Sequence, residues 1–353
     1  METLKIALIS SQGNTTTPPQ KGGGLEQVVH DLGCALLNLG HDVTLIAPRG
    51  SSLNDGDLID TIDPAEYDFQ TNGTKAELDA SDFYLEKLDG FDIIHDHSWN
   101  CVSYAARFVN PEIRVCHTHH GHAHDWNMKT VPDYMKNCLN FFSISDFMKK
   151  ENEGLGITSH RVYNGIDLDR YEYCESKGNR LLFVGRFNSF KQPHAAISAA
   201  IDANIPIDIV ASTAFKEPGY TDAVEAWANR TKGFVKLHLD AEEGVKVNLM
   251  KRARACIMPS AMAEPFGLFA VESMAVGTPI IVTRDGALPE VVGEGPDSGG
   301  FVCNTFKDIV EAVRNSRKIS QDRCRKRAEM FSRRIMAENY VKEYRKILDG
   351  EEW

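Results

Sequence analysis

Short apolar runs that end in polar loops alternate with stretches of helical spacing along the whole chain, and the alternation restarts near its middle. Residues 5–10 (KIALIS), 42–48 (DVTLIAP), 91–98 (FDIIHDHS), 113–120 (IRVCHTHH) and 141–145 (FFSIS) read as strands. Between the first two, apolar residues at 25, 28, 29, 32, 36 and 39 trace one helix face, closed by Gly40. The second series has strands at 180–185, 207–212, 235–239, 255–260 and 278–283, with a helix over 192–205. Strands alternating with helices predict parallel sheets covered on both faces. A length of 353 residues suits two such domains better than one core. The expected fold class is α/β, with two doubly wound Rossmann-like domains at residues 1–165 and 166–335. The polar stretch 164–178, without apolar periodicity, reads as the linker. Ligands in such sheets bind beyond the carboxyl ends of the strands, so a shared cleft is expected there.

Composition narrows the partners. Apolar residues make up 42% and charged residues 25% of the chain, as in soluble globular proteins. No apolar run approaches the roughly 20 residues of a membrane span. The first ten residues, with Glu2 and no basic flank, read as a strand and not as a signal peptide. Eight scattered cysteines without a C-x-x-C pair predict reduced thiols and a cytoplasmic protein. The net charge of −11 is uneven: residues 51–100 hold thirteen acids against Lys75 and Lys87, and residues 314–334 hold nine bases against Asp322 and Glu329. No broad basic face for duplex nucleic acid is present. The basic run reads as the solvated face of a C-terminal helix. The acidic N-terminal half disfavours docking on an anionic bilayer.

The most specific stretch is MPSAMAEPFGLFAVESMAVGTPIIVTRDGALPEVV, residues 258–292. It reads as strand, loop with Glu264, helix from about Gly267 carrying Glu272, then Gly277-Thr278-Pro279 into a strand. The amides of Phe266 to Phe269 start that helix, where backbone donors lack intrahelical partners and favour an anion. A carboxylate beside a phosphate-binding helix start, with a second reaching a diol, suits a nucleotide-sugar diphosphate. By spacing alone, two glutamates with seven residues between them are usually a cap and a surface charge.

The surrounding residues resemble the retaining glycosyltransferases of the large family 4 type, which includes sucrose-phosphate synthase and bacterial mannosyltransferases and has the two-Rossmann GT-B fold. The resemblance spans nearly the whole chain. It runs through KGGGLEQVVHDLGCALLNLGHDVTLIAP, FDIIHDHS, FFSISDFMKK, VYNGIDLDRY, LLFVGRFNSFKQPHAAISAA and FSRRIMAENYVKEYRKIL. It implies that the last helix, 336–353, joins the first domain. It also implies that Arg186 and Lys191 hold the donor diphosphate, where fixed cations stabilise the charge of the leaving group. Gln192 departs from the pattern, since relatives usually have glycine after the lysine. Gly23 and Gly24 would let the backbone approach the acceptor or the phosphates closely. Leu268 and Phe269 would meet the diphosphate through their amides, and Phe266 and Gly267 the sugar. Glu272 maps to the ribose hydroxyls, and Glu264 to the transferred sugar and its oxocarbenium-like transition state. The backbone near 235–240 would meet the base, so side chains there hardly distinguish UDP from GDP.

The resemblance further implies transfer with retention, no required cofactor or metal, and a same-face displacement in which the leaving phosphate accepts the acceptor's proton. A UDP-sugar is favoured over a GDP-sugar as co-substrate, and a soluble, glycan or polymeric acceptor over a lipid. Five of the twelve histidines fall within CHTHHGHAHD, residues 116–125. The family pattern of strand, His, Gly puts His120 in the functional place, with His119 as a one-residue alternative. His117 and His119 share one strand face and His120 leaves on the other. Asp96, His97 and His119 are expected on the acceptor side, with His95 beside them. His122 and His124 read as polar loop residues. H-x-H can chelate zinc, with His95, His97, His122 and His124 as further ligands, but no H-E-x-x-H or cysteine pair completes a site. Two other readings stay open: a sugar-nucleotide epimerase or hydrolase on the same fold, and a non-catalytic nucleotide-sugar binder.

Overall fold

A computed structural model describes residues 2–17, 23–122, 139–213 and 217–353. Gly22 and His124 lie outside the described residues. The chain divides into two compact units: Met1–Gly165 with Arg333–Trp353, and Ile166–Ser332.

The first unit has strands β1 (Lys5–Ile9), β2 (Asp42–Ala47), β3 (Asp57–Asp60), β4 (Ile93–Asp96), β5 (Val115–His119), β6 (Asn140–Ser143) and β7 (Ser159–Arg161). Its described helices are α1 (Gly24–Asn38), α2 (Phe69–Ser81), α3 (Ala106–Val109) and α4 (Asp146–Gly154), and the C-terminal helix joins them. The sheet is parallel, in the order β3-β2-β1-β4-β5-β6-β7. Ile6 to Ile9 are wholly buried, as a strand covered on both faces requires.

The second unit has strands β8 (Leu181–Arg186), β9 (Ile207–Ser212), β10 (Val235–Leu239), β11 (Ala255–Met258), β12 (Ile280–Thr283) and β13 (Gly300–Cys303). Its helices are α5 (Pro193–Ala203), α6 (Tyr220–Arg230), α7 (Glu243–Arg252), α8 (Leu268–Ala275), α9 (Leu288–Val292), α10 (Phe306–Asn315) and α11 (Gln321–Glu329). Strand order is β10-β9-β8-β11-β12-β13, again parallel. In each sheet the order reverses beside its first strand, which puts the topological switch at β1/β4 and at β8/β11.

The C-terminal helix α12 (Arg333–Leu348) buries Met336, Ala337, Tyr340, Val341, Tyr344 and Ile347, a single stripe at helical spacing, and packs on α1. No described helix is long and apolar enough to cross a membrane.

Two segments differ from their sequence reading. The polar stretch 164–178 contains the division between the units, and from Ile166 onward it is fastened within the second unit. Tyr171 is buried, and Lys177 Nζ donates to Lys251 O, Val276 O and Thr278 Oγ1 at 3.0, 2.8 and 2.8 Å. The basic run is a solvated face only in part: Arg314, Arg317, Lys318, Lys326 and Arg334 are exposed, whereas three arginines of α11 are tied to backbone carbonyls. Arg325 donates to Tyr171 O and Ala275 O, Arg327 to Glu290 O and Val291 O, and Arg323 to Gly295 O and Ser298 O. These carbonyls include the last turns of α8 and α9, where unpaired acceptors and the helix dipole favour a cation.

Candidate active site

In the second unit the switch-point loops carry the predicted donor residues. Arg186 ends β8 and is exposed, and the next side chain, Phe187, returns to the core. The following loop is pinned at three places. Asn188 Oδ1 accepts from Lys191 N at 3.1 Å, Glu217 Oε2 from Ser189 N at 2.9 Å, and Phe190 O from Ala261 N at 2.8 Å. The last of these ties the β8 loop to the β11 loop. Gln192, the departure from the family pattern, takes the left-handed conformation, φ 53°, immediately before Pro193 at the start of α5. That is the backbone a glycine adopts without strain, so the loop keeps a glycine-like path.

Lys191 Nζ forms an ion pair with Glu264 Oε1, and Ser260 Oγ donates to the same oxygen at 2.9 Å. Glu264 is buried, and its carbonyl accepts from Ala287 N at 2.8 Å. Gly286 packs directly on its main chain: a Cβ there would lie 2.3 Å from Glu264 N and 2.4 Å from its O, at φ +55°. Sequence reasoning assigned Gly286 no role. Its signal was the Asp285-Gly286 turn pair one residue after a strand.

Gly267 precedes α8 at φ +93°, and a Cβ would meet Leu288 Cδ2 at 2.6 Å. Phe266 is buried with its ring edge-on to Phe331, 5.7 Å between centroids, so its side chain belongs to the core. Leu268 and Phe269, half-buried, form the first turn of α8. One turn on, Glu272 Oε2 accepts from Lys246 Nζ at 3.1 Å, and Lys246 also meets Glu243 Oε1 at 2.8 Å. Tyr171 hydrogen-bonds to Glu272 as well, and burial with the nearby Glu272 and Glu243 charges pushes its phenol far up. Neither Lys246 nor Tyr171 was singled out from the sequence. They come from α7 and the 164–178 stretch, and no local pattern links them to Glu272. At the end of β10, the Asp240 carboxylate accepts from Thr213 N and Oγ1.

In the first unit, Gly23 and Gly24 open α1 without a side-chain cap. Beside them Glu26 is buried and accepts from Ser11 Oγ. Burial raises its carboxyl despite that bond. The histidines form two connected groups. His95 is fully buried: its Nδ1 pairs with Tyr344 Oη at 2.6 Å and its Nε2 with Thr118 Oγ1 at 2.7 Å. Tyr340 Oη lies 2.9 Å from the same Thr118 hydroxyl. Against His95, at 3.9 Å between ring centroids, lies His97, whose Nδ1 is 2.9 Å from His120 Nε2. Burial drives His97 well below the usual imidazole range, and holds His120 down to about 3.

Of the residues expected on the acceptor side, Asp96, His97 and His119 are interior in this structure, while Gly23 and His120 are part-exposed. Asp96 accepts from Ser98 N at 2.7 Å and from Ser103 Oγ, so its carboxylate holds the loop after β4. That loop is also anchored by the buried Glu77, which accepts from Trp99 N at 2.7 Å and from Asn100 N at 2.8 Å. Burial pushes the Glu77 carboxyl up to about 7. His119 Nε2 bonds to His122 O at 3.2 Å. His122 is no solvated loop residue: it is buried, with Nδ1 2.9 Å from Glu151 Oε2. Among the described residues, the group whose ligand-type atoms converge within 4.8 Å is Asp96, Cys101 and His117, all buried. It shares His117 with the H-x-H pair weighed on sequence and has Asp96 and Cys101 in place of a second histidine.

A concavity lined by Arg107, Ile113, Arg114, Asn140 and Ile347 lies at the amino ends of β5 and β6, and shares no residue with either cluster.

Two family models match in succession: Glycosyltransferase Family 4 over residues 22–170, and Glycosyl transferases group 1 over residues 171–336. Among curated proteins, the chain is similar to a glycogen synthase of Mycobacterium tuberculosis, 26% identical over 348 residues and covering 84% of this chain and 83% of that one. It is also similar to a phosphatidyl-myo-inositol mannosyltransferase of Mycolicibacterium smegmatis, 23% identical, covering 79% and 77%. Among solved structures, HepE of Anabaena in complex with UDP-glucose superposes with a TM-score of 0.73 at 14% identity, covering 97% of this chain and 100% of that one.

Proposed function

This chain belongs to the family 4 glycosyltransferases with the GT-B fold, and from that premise we propose that it moves a hexose from a nucleoside-diphosphate sugar, a UDP-sugar first, to an acceptor hydroxyl with retention. The observation that carries the reading is the Lys191–Glu264–Ser260 constellation at the β8/β11 switch, with Arg186 on the adjoining strand end. Lys191 and Glu264 neutralise each other there. A diphosphate draws the lysine, together with Arg186 and the α8 amides, and leaves Glu264 to the sugar hydroxyls. As the glycosidic bond breaks, charge builds on the leaving phosphate, where the two cations stabilise it. Glu264 faces the positive charge on the sugar carbon. Glu272, aimed by Lys246 and Tyr171, is assigned the ribose diol. His120, in the first unit, is assigned the acceptor side and the distal sugar hydroxyl. The leaving phosphate takes the acceptor proton on the same face, so the scheme uses neither an enzyme nucleophile nor a metal. A cytoplasmic setting is supported by the cysteines, since all seven described ones are free.

The test is a thermal-shift screen of UDP-glucose, UDP-galactose, GDP-mannose and ADP-glucose, followed by nucleotide release with and without candidate glycan acceptors. A donor bound by the native state alone raises the melting temperature in proportion to its affinity. Glu264→Gln and Arg186→Ala should each cost on the order of 10²–10³ in rate, and a chelator should cost nothing. Unchanged turnover in both variants sinks the site assignment. Release that proceeds equally without any acceptor favours the hydrolase reading.

A further inference from the structure

The two histidine rings at the ends of β4 and β5 set a proton position. His97 and His120 share one hydrogen bond, Nδ1 to Nε2 at 2.9 Å, so one ring donates and the other accepts. His97 is buried, and its other nitrogen, Nε2, has no partner among the described residues. If His120 donated, the neutral His97 ring would carry its proton on that partnerless Nε2. A buried N–H without an acceptor is among the rarest arrangements in folded proteins, whereas an under-used lone pair is tolerated. The donor is therefore His97 Nδ1–H.

We propose that His97 is a positioning residue that locks His120 in a single tautomer, with the His120 proton on Nδ1 and its Nε2 committed to His97. The ring then offers Nδ1–H as its donor to a substrate hydroxyl. The lock is built from the C-terminal helix. Tyr344 fixes His95 at one nitrogen, while Tyr340 and Thr118 fix it at the other. The His97 ring packs against the ring so held, tilted by 39°, and its amide donates to Ile9 O at 2.8 Å. Burial keeps His97 and His120 neutral, which a donor–acceptor pair of imidazoles requires. The tautomer follows from the first unit alone, and only its value to catalysis rests on the glycosyltransferase site proposed for His120.

Isotope-labelled histidine, read by two-bond nitrogen–proton correlation at neutral pH, tests the lock directly. Both His97 and His120 should be protonated at Nδ1. In His97→Asn the side-chain amide replaces the ring donor, and His120 should keep its tautomer. In His97→Phe the donor is gone, and His120 should relax towards the Nε2–H form that free imidazoles prefer. With UDP-glucose as the probe, His97→Phe should lower kcat for UDP release by about tenfold or more with little change in donor KM. His97→Asn should recover most of that loss. A packing role predicts the opposite ranking, because phenylalanine fills the buried site better than asparagine. A wild-type His120 protonated at Nε2, or a His120 tautomer unmoved in His97→Phe, overturns the proposal. If His120→Ala leaves UDP release intact, the site role of His120 fails while the tautomer result stands.

Discussion

Gly286 shows how a single atom guards the candidate donor site. The backbone of Glu264 lies where a Cβ at position 286 would have to go, and a left-handed φ adds strain for any side chain. Gly286→Ala should therefore displace the Glu264 main chain and its ion pair with Lys191. The expected result is loss of roughly 10²-fold in kcat, as misplacement by about an ångström costs elsewhere, with a smaller loss of thermal stability. Steady-state kinetics beside a melting curve check it, and near-normal kcat with a lowered melting temperature would show that Gly286 serves packing alone. At this scale the sequence exposed residue types and missed their contacts. Lys191 and Glu264 stood out through the motif, yet their ion pair spans 73 residues and no spacing rule reaches so far. His122 looked like a loop residue because Glu151, its partner, lies on a helix 29 residues away.

Helix α11 carries the same lesson from residues to elements. Its arginines alternate along the sequence at 323, 325 and 327, and the strings of charge look like a surface made for water. In the fold each guanidinium finds backbone carbonyls, those of Arg323 in the loop between α9 and β13, and Arg325 joins the α8 terminus to Tyr171 in the 164–178 stretch. Arg325→Met keeps the aliphatic stem and removes two charge-assisted bonds, so the second unit should lose about 2–3 kcal/mol. Chemical denaturation with donor kinetics separates the effects: a fall in stability at unchanged donor KM is expected, and no fall would mean the arginine is solvated after all. The strands divide in a similar way. β1, β2, β4 and β8 were legible because they are apolar runs in the middle of parallel sheets. β3 (DLID) is largely exposed at one edge, β7 (SHR) has three residues, and β13 begins at Gly300. An edge strand covered on one face needs no apolar run, so periodicity had nothing to detect.

For the molecule as a whole, the uneven placement of buried imidazoles predicts an uneven response to acid. In the first unit His95, His97 and His117 are fully buried, and burial holds each below the usual imidazole value, His117 down to about 3. Below pH about 6.5 the unfolded chain takes up protons at these positions and the native chain does not, so their contribution is present above that pH and lost on acidification. Each costs at most about 1.4 kcal/mol per pH unit. Glu77 acts in the opposite sense. Its raised value, about 7, means the native state takes its proton first, so stability rises as pH falls from there towards the usual carboxylate value. One such carboxyl offsets one imidazole, and Glu26 and Asp96, also raised by burial, offset part of another. On the alkaline side His30 matters: burial lowers its value, but hydrogen bonding and charge interaction with Asp31 and Cys34 together lift it to about 9. Its stabilisation is full below 6.5 and disappears as pH rises through 9, so the first unit is weakened at both ends. Among the described residues of the second unit, the only histidine with a shift is His194, lowered by partial burial. Hydrogen exchange followed separately in β1, β4 and β5 and in β8, β9 and β11, from neutral pH to about 5, should show protection falling first in the former set. Equal loss in both sets would mean that the buried carboxyls cancel the imidazoles completely. Loss first in the second set would mean that the neutral, buried state of the histidine cluster is wrong.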